Sequence, residues 1–316
     1  MACCCLKVEY LTAITSSNIS GPDLKHLNNK NMAIRAIVVG GTSGIGFGMA
    51  CRVAAELKPA TVIISGRTRP QNIPHANMEF RRLDALSMCS IKQYTDKIKS
   101  ELDGKLDYLI MTQGIMTIAG RTETPEGIDR KMALHYYGKQ LLIRELMPAL
   151  KEDAKVIVVL DGIFGNAAKL DWKDLDLKRT YSIGNSAQHC MVMNDAMIQF
   201  YAAEQKRQGT GARHFVHAFP GAVKSNLARE LPWYLSPLLG VAGSLVGVSV
   251  DTCAERLLSG TAKCATEGKT EGRFWSNIDS KGKLSSKKTV FTEDQMKKIA
   301  DHTWDVVDKA IESSPN

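Results

Sequence analysis

Within VIVVLDGIFG an apolar run, Val156 to Leu160, ends in Asp161 and Gly162. A buried strand that closes on a carboxylate leaves a negative charge at the edge of the core. That charge either caps the following turn or faces a cation. A second stretch with chemical content is VVGGTSGIG, residues 38–46. Gly40, Gly44 and Gly46 permit a tight turn and a close approach of backbone to an anion. The helix opening there points its first N–H groups the same way. A glycine-rich loop alone is a weak signal. Placed between a strand and a helix, with Thr42, Ser43 and Ile45 in the loop, it is a strong one for a dinucleotide pyrophosphate.

The end of the next strand discriminates between dinucleotides. An acid there would accept from a ribose 2′-hydroxyl and repel a 2′-phosphate. IISGRTR instead carries Arg67 and Arg69, and a guanidinium pairs with phosphate through charge-assisted bonds. NADP(H) is therefore the expected cofactor. Asp84, in RRLDALS, either accepts from the adenine amino group or caps its own loop.

The elements that position these residues follow from periodicity. Strands are expected at AIRAIVVGG, ATVIISGR, NMEFRRLDA, LDYLIMTQG, AKVIVVLDG and RHFVHAFPG. Helices are expected at GIGFGMACRVAAEL, CSIKQYTDKIKSEL, NSAQHCMVMNDAMIQFYAAEQ and, as one long helix ended by Leu150, GIDRKMALHYYGKQLLIRELMPAL. Strict alternation implies an α/β chain with a Rossmann-type, doubly wound parallel sheet and helices on both faces. Residues 1–31 read as a flexible lead-in and 32–316 as a single domain. Residues 235–250 carry no charge but contain Pro and Gly and are short for a membrane span, so a substrate lid is expected over about 226–250.

The 316 residues carry a formal charge of +8, and 44% are hydrophobic, enough for a sizeable core. Basic residues are scattered, apart from Lys281, Lys283, Lys287 and Lys288, with no aromatic interleaving, which argues against nucleic acid. Eight Cys occur without Cys-x-x-Cys pairs or zinc-spaced His. Neither a metal site nor a disulfide framework is expected, and reduced thiols fit a cytoplasmic protein. The start, MACCCLKVEYL, lacks the apolar core of a secretory signal, and its adjacent thiols are either acylated or simply part of a loose terminus.

With these motifs, roughly residues 33–275 resemble the short-chain dehydrogenase/reductase family. GGTSGIG matches its glycine loop, and LDYLIMTQG, with Gln113 and Gly114, takes the place of its Asn-Asn-Ala-Gly strand. HAFPGAVKSN is similar to its Pro-Gly-x-Val-x-Thr turn, which implies that Pro220, Val223 and Ser225 hold the nicotinamide amide. The family's catalytic Asn, Ser and Tyr-x-x-x-Lys are not intact. The corresponding positions are His135, Asp161, Ala187 and Met191, the last two aligned through Asn194, and none of the eight Tyr has a Lys four residues on. MALHYYGKQLL, FVHAFPG and EGRFWSN resemble a divergent fungal branch of secondary metabolism, within it the bifunctional reductase/Diels–Alderases of prenylated indole alkaloids.

Loss of the Tyr-Lys acid makes ordinary ketone reduction poor, because an alkoxide needs a proton. Hydride addition to an iminium gives a neutral amine and needs none. A fixed carboxylate beside such a cation is what helps, which assigns Asp161 the role of counter-charge. The expected substrate is an indole alkaloid or other cationic imine. A shaped pocket could also guide a cyclisation, with Tyr136, Trp233, Leu235 and Leu238 as candidate lining or as ordinary packing. Arg130 either orients Asp161 or a substrate carbonyl, or lies on a solvated face. His135 is either a donor or a satisfied core residue. The competing readings are a carbonyl reductase using His135 or Tyr181 as donor, and a non-catalytic NADP-binding pseudo-reductase. The resemblance also implies a possible homo-oligomer pairing through helices at about 124–150 and 185–206, without membrane insertion.

Overall fold

The apolar runs pair as one parallel sheet of seven strands in the order β3-β2-β1-β4-β5-β6-β7. The strands are β1 (Ile34–Val39), β2 (Ala60–Gly66), β3 (Met78–Arg82), β4 (Leu106–Met111), β5 (Leu150–Val159), β6 (His214–Ala218) and β7 (Trp275–Ile278). This computed structural model describes residues 33–57, 60–224, 247–286 and 288–313. The lead-in, most of the expected lid, Ser225, Trp233, Leu235, Leu238, Lys287 and Cys3 to Cys5 lie outside the described residues.

Central strands read as near-continuous apolar runs because helices cover both faces. Ile37 and Val39 join the core on one face, and Ala36 and Val38 the core on the other. Each fully buried Val or Ile contributes roughly 1.5–3 kcal/mol. Strand order reverses between β1 and β4, which opens a crevice at their carboxyl ends.

Between the strands run α1 (Gly44–Glu56), α2 (Met88–Glu101), α3 (Arg130–Met132), α4 (Gly138–Leu146), α5 (Ile183–Gln208) and α6 (Val250–Glu271). After β7 comes α7 (Glu293–Glu312). Ser87, Ser182 and Ser249 cap α2, α5 and α6 through their side chains, satisfying first-turn N–H groups.

The single long helix expected up to Leu150 is a correction. A π-helical turn, Ala133–Tyr137, separates α3 from α4. Pro148 then restricts the chain to a short 3₁₀ turn, Met147–Ala149. Leu150 already belongs to β5 and pairs with Leu106. The C-terminal elements had no assigned pattern. Of these, α7 lies across α4 and α5: Tyr136 Oη is 2.6 Å from Thr303 Oγ1, and Arg144 pairs with Asp308 at 2.7 Å while stacking on Trp304.

Candidate active site

A cavity of about 360 Å³ opens in the crevice at the carboxyl ends of β1, β2 and β4, within the size range of small-molecule sites. It brings together Gly40, Thr42, Ser43, Gly44, Ile45 and Gly46 of the glycine loop with Arg67, Asp84, Gln113, Gly114, His135 and Pro220. The glycines are demanded by space. Gly40 has φ +78°, and a Cβ on it would lie 2.6 Å from the Gln113 nitrogen. A Cβ on Gly46 would meet Thr112 Oγ1 at 2.3 Å and the Gly40 oxygen at 2.5 Å, so α1 can approach the sheet only without a side chain there. Ser43 is the N-cap of α1 yet makes no side-chain cap, leaving its hydroxyl and the first-turn N–H groups to an incoming anion.

Residues present fit a dinucleotide on two counts. The cradle is one that any Cβ would fill. Gln113, buried in the cavity wall, has both amide atoms without a hydrogen-bond partner among the described residues. Buried amides are normally paired, so this one is suited to a ligand's polar edge. Asp84 lines the cavity, and its Oδ1 accepts from Leu86 N at 3.1 Å, the loop-capping role weighed for it.

His135 sits in the π turn, and Nε2 accepts from the Ile115 N–H at 2.9 Å. The residue keeps some exposed surface, but its ring lies deep. Burial, and secondarily the Lys139 charge, pushes its imidazolium down to about 3. It is therefore neutral near pH 7, with Nε2 occupied as an acceptor. Asn194 secures this turn: its Nδ2 donates to the His135 carbonyl at 2.9 Å and to that of Cys190 at 2.7 Å.

Asp161 follows β5, next to the cavity residues Val159 and Leu160, but does not itself line the cavity. Its Oδ1 accepts from the Ile163 and Phe164 N–H groups, both at 2.9 Å. The turn-capping role is thus real. It occupies one oxygen, and among the described residues Oδ2 has no hydrogen-bond partner. Gly162 is needed because a Cβ there would stand 2.3 Å from the His217 oxygen. Arg130 opens α3 behind its N-cap Asp129 and is not among the cavity residues. Val223 likewise stands outside the cavity, in a bridge with Val248.

Ala187 is exposed and Met191 buried on α5, so neither a hydroxyl nor an ammonium stands at those positions. No tyrosine or lysine lines the cavity among the described residues. Tyr181 lies under the Lys131 ammonium, 5.4 Å from its ring, and not in the cavity wall. One group escaped sequence reading. Lys139, fully buried on α4, donates to the carbonyls of Met111 and Val159, both at 3.1 Å, beneath the cavity floor. Burial pushes its ammonium down to about 7. The only hint was a lysine inside YYGKQLLI.

Comparisons with known proteins agree with this geometry. A model of the short chain dehydrogenase family matches residues 35–167. Oxidoreductase AN1596 of Emericella nidulans is 31% identical over 229 residues, covering 69% of this chain and 65% of that protein. The NmrA-like family domain-containing oxidoreductase notO of an Aspergillus species is 28% identical over 220 residues, covering 64% of each. The chain thus spans just under two thirds of these relatives' length. Among solved structures, an NADPH-bound carbonyl reductase from chicken fatty liver superimposes with a TM-score of 0.55 at 18% identity, covering 84% of this chain and 99% of that one. An aldohexose dehydrogenase of Thermoplasma acidophilum has the same TM-score at 14% identity, covering 82% of this chain and 97% of that one. At such identities the likeness is one of fold. With the glycine cradle, the seven-stranded sheet and the fungal relatives together, the chain belongs to the short-chain dehydrogenase family, on a divergent branch with fungal relatives.

Proposed function

We propose that this oxidoreductase uses NADP(H) to reduce a cationic imine, with Asp161 as counter-charge. The observation that carries this reading is the composition of the cavity wall. It contains no tyrosine or lysine among the described residues, and its histidine is neutral and engaged through Nε2. When bound, the nicotinamide supplies a hydride. The chain's own residues then determine which acceptors are reduced. A carbonyl acceptor becomes an alkoxide and needs a proton donor, worth typically about 10²–10⁴-fold, and no tyrosine or lysine of the wall offers one among the described residues. An iminium becomes a neutral amine. Asp161, held by its turn with Oδ2 free of protein hydrogen bonds among the described residues, favours a cation next to the cavity. Arg67, at the end of β2, is the residue for a 2′-phosphate.

The substrate class we favour is an indole-alkaloid-type cyclic imine, in a cytoplasmic pathway, and a shaped pocket would also suit a [4+2] cyclisation after reduction. The state of His135 weighs against the carbonyl reductase in which it is the proton donor. Mixing the protein and NADPH with a panel of cyclic iminium ions and ketones, and following absorbance loss, tests the reading. Consumption with iminium ions alone supports it. Consumption with ketones overturns it, and tight NADPH binding without any turnover favours a non-catalytic binding protein. Arg67→Ala is expected to weaken NADPH about 10-fold or more relative to NADH, read by fluorescence titration. Equal losses for both would remove the assignment of Arg67.

A further inference from the structure

Behind the turn that carries Asp161 lies a buried polar cluster that the proposed reaction does not touch. Asp195, on α5, is 3% exposed. Its Oδ1 lies 2.6 Å from Nδ1 of His217 and accepts from Asn277 Nδ2 at 2.5 Å. Its Oδ2 lies 2.7 Å from the Lys288 ammonium, whose side chain is itself 4% exposed. His217 and Asn277 are fully buried register partners on β6 and β7. Removing these groups from water is costly, and well-packed apolar residues of similar volume would serve core stability as well or better. The cluster's position suggests what it does instead.

Its remaining contacts converge on the stretch after Asp161. Asn277 Nδ2 donates to the Gly162 carbonyl at 2.9 Å. The Lys288 ammonium lies 3.4 Å from the Ile163 carbonyl. A Cβ on Gly165 would stand 3.4 Å from Asp195 Oδ2. The next residues of β6 lead through Phe219, whose ring meets that of Phe164 edge-on at 5.3 Å, to Pro220 in the cavity wall. The cluster therefore joins α5, β6 and β7 to the one turn whose N–H groups hold the Asp161 carboxylate.

We propose that Asp195, with His217, Asn277 and Lys288, is a positioning group that fixes turn 161–165 and thereby aims the Asp161 carboxylate at the substrate. The functional half of this inference rests on the reading of Asp161 above. The structural half does not, because the amides of Ile163 and Phe164 report on the turn directly.

The test is hydrogen exchange by mass spectrometry on the full chain, comparing Asp195→Asn with the double variant Asp195→Asn/Lys288→Met, which leaves no unpaired buried charge. Exchange in the peptide spanning 160–166 is expected to accelerate about 10-fold or more, with β1 and α1 peptides unchanged. On a cationic imine, kcat is expected to fall about 10-fold or more, with KM and NADPH affinity within about twofold. Unchanged exchange at 160–166 in the folded double variant overturns the inference. So does faster exchange with full turnover, provided Asp161→Asn itself impairs the enzyme. If Asp161→Asn is silent while the peptide opens, the role of Asp161 falls and the cluster's hold on the turn stands.

Discussion

Three side chains at or beside the cavity bear on the proposed chemistry: a turn-held aspartate, a neutral histidine and a buried lysine. Sequence left Asp161 with two roles, and the structure shows that capping uses one oxygen only. His135, weighed as donor or core residue, accepts from the Ile115 N–H through Nε2. Lys139 offers a direct check of the buried electrostatics. Its folded pKa of about 7 lies below its ordinary 10.5. Between these values the unfolded chain holds a proton that the folded chain lacks, so stability rises as pH climbs through the window and is lowest below about 7. Thermal unfolding of Lys139→Met is expected to show a flatter pH dependence from about 7 to 10 than the parent, by ~1 kcal/mol or more across the window. Equal slopes would place the Lys139 ammonium in contact with water.

Elements carry the next level of specificity. The glycine loop and the β-branched strands were readable because local conformation and burial on both faces dictate residue type there. The π turn was not, since its residues keep a helical pattern and only the hydrogen bonding differs. Strand β7 has just four residues, WSNI, and buries Ser276 and Asn277, so it carries no apolar signature. Turn 161–165 is built on a close approach that the sequence showed only as a glycine after an acid. Gly162→Ala places a methyl group 2.3 Å from backbone of β6, which cannot give as a side-chain tip would. A loss of about 1–3 kcal/mol in denaturant unfolding is expected, together with faster exchange at Ile163 and Phe164. A variant as stable as the parent would show that the turn relaxes freely.

On the scale of the molecule, sequence alternation identified the parallel sheet and where its crevice lies, but not what covers the helices. The expectation that this chain pairs through the helices near 124–150 and 185–206 meets a physical obstacle. Helix α7 packs on α5 and reaches the π turn and α4 through Tyr136–Thr303 and Arg144–Asp308. The Asp195 cluster was equally hidden, since its members lie as far as 93 residues apart, Asp195 to Lys288, before folding joins them. With α7 in place, sedimentation equilibrium at micromolar concentration is expected to give the 34.7 kDa monomer. Removing residues from 292 onward is expected to cause association through the uncovered face. A dimer of the intact chain cross-linked through α4 and α5 would contradict this.

The central claim is that a carboxylate charge, and not a proton donor, drives reduction here. Asp161→Asn isolates that charge, because an amide oxygen can still accept from Ile163 and Phe164 and preserve the cap. With NADPH and a cyclic iminium substrate, kcat/KM is expected to fall about 100-fold, ~2.7 kcal/mol, with cofactor affinity unchanged. A loss of about twofold or less, well under 1 kcal/mol, would contradict the claim.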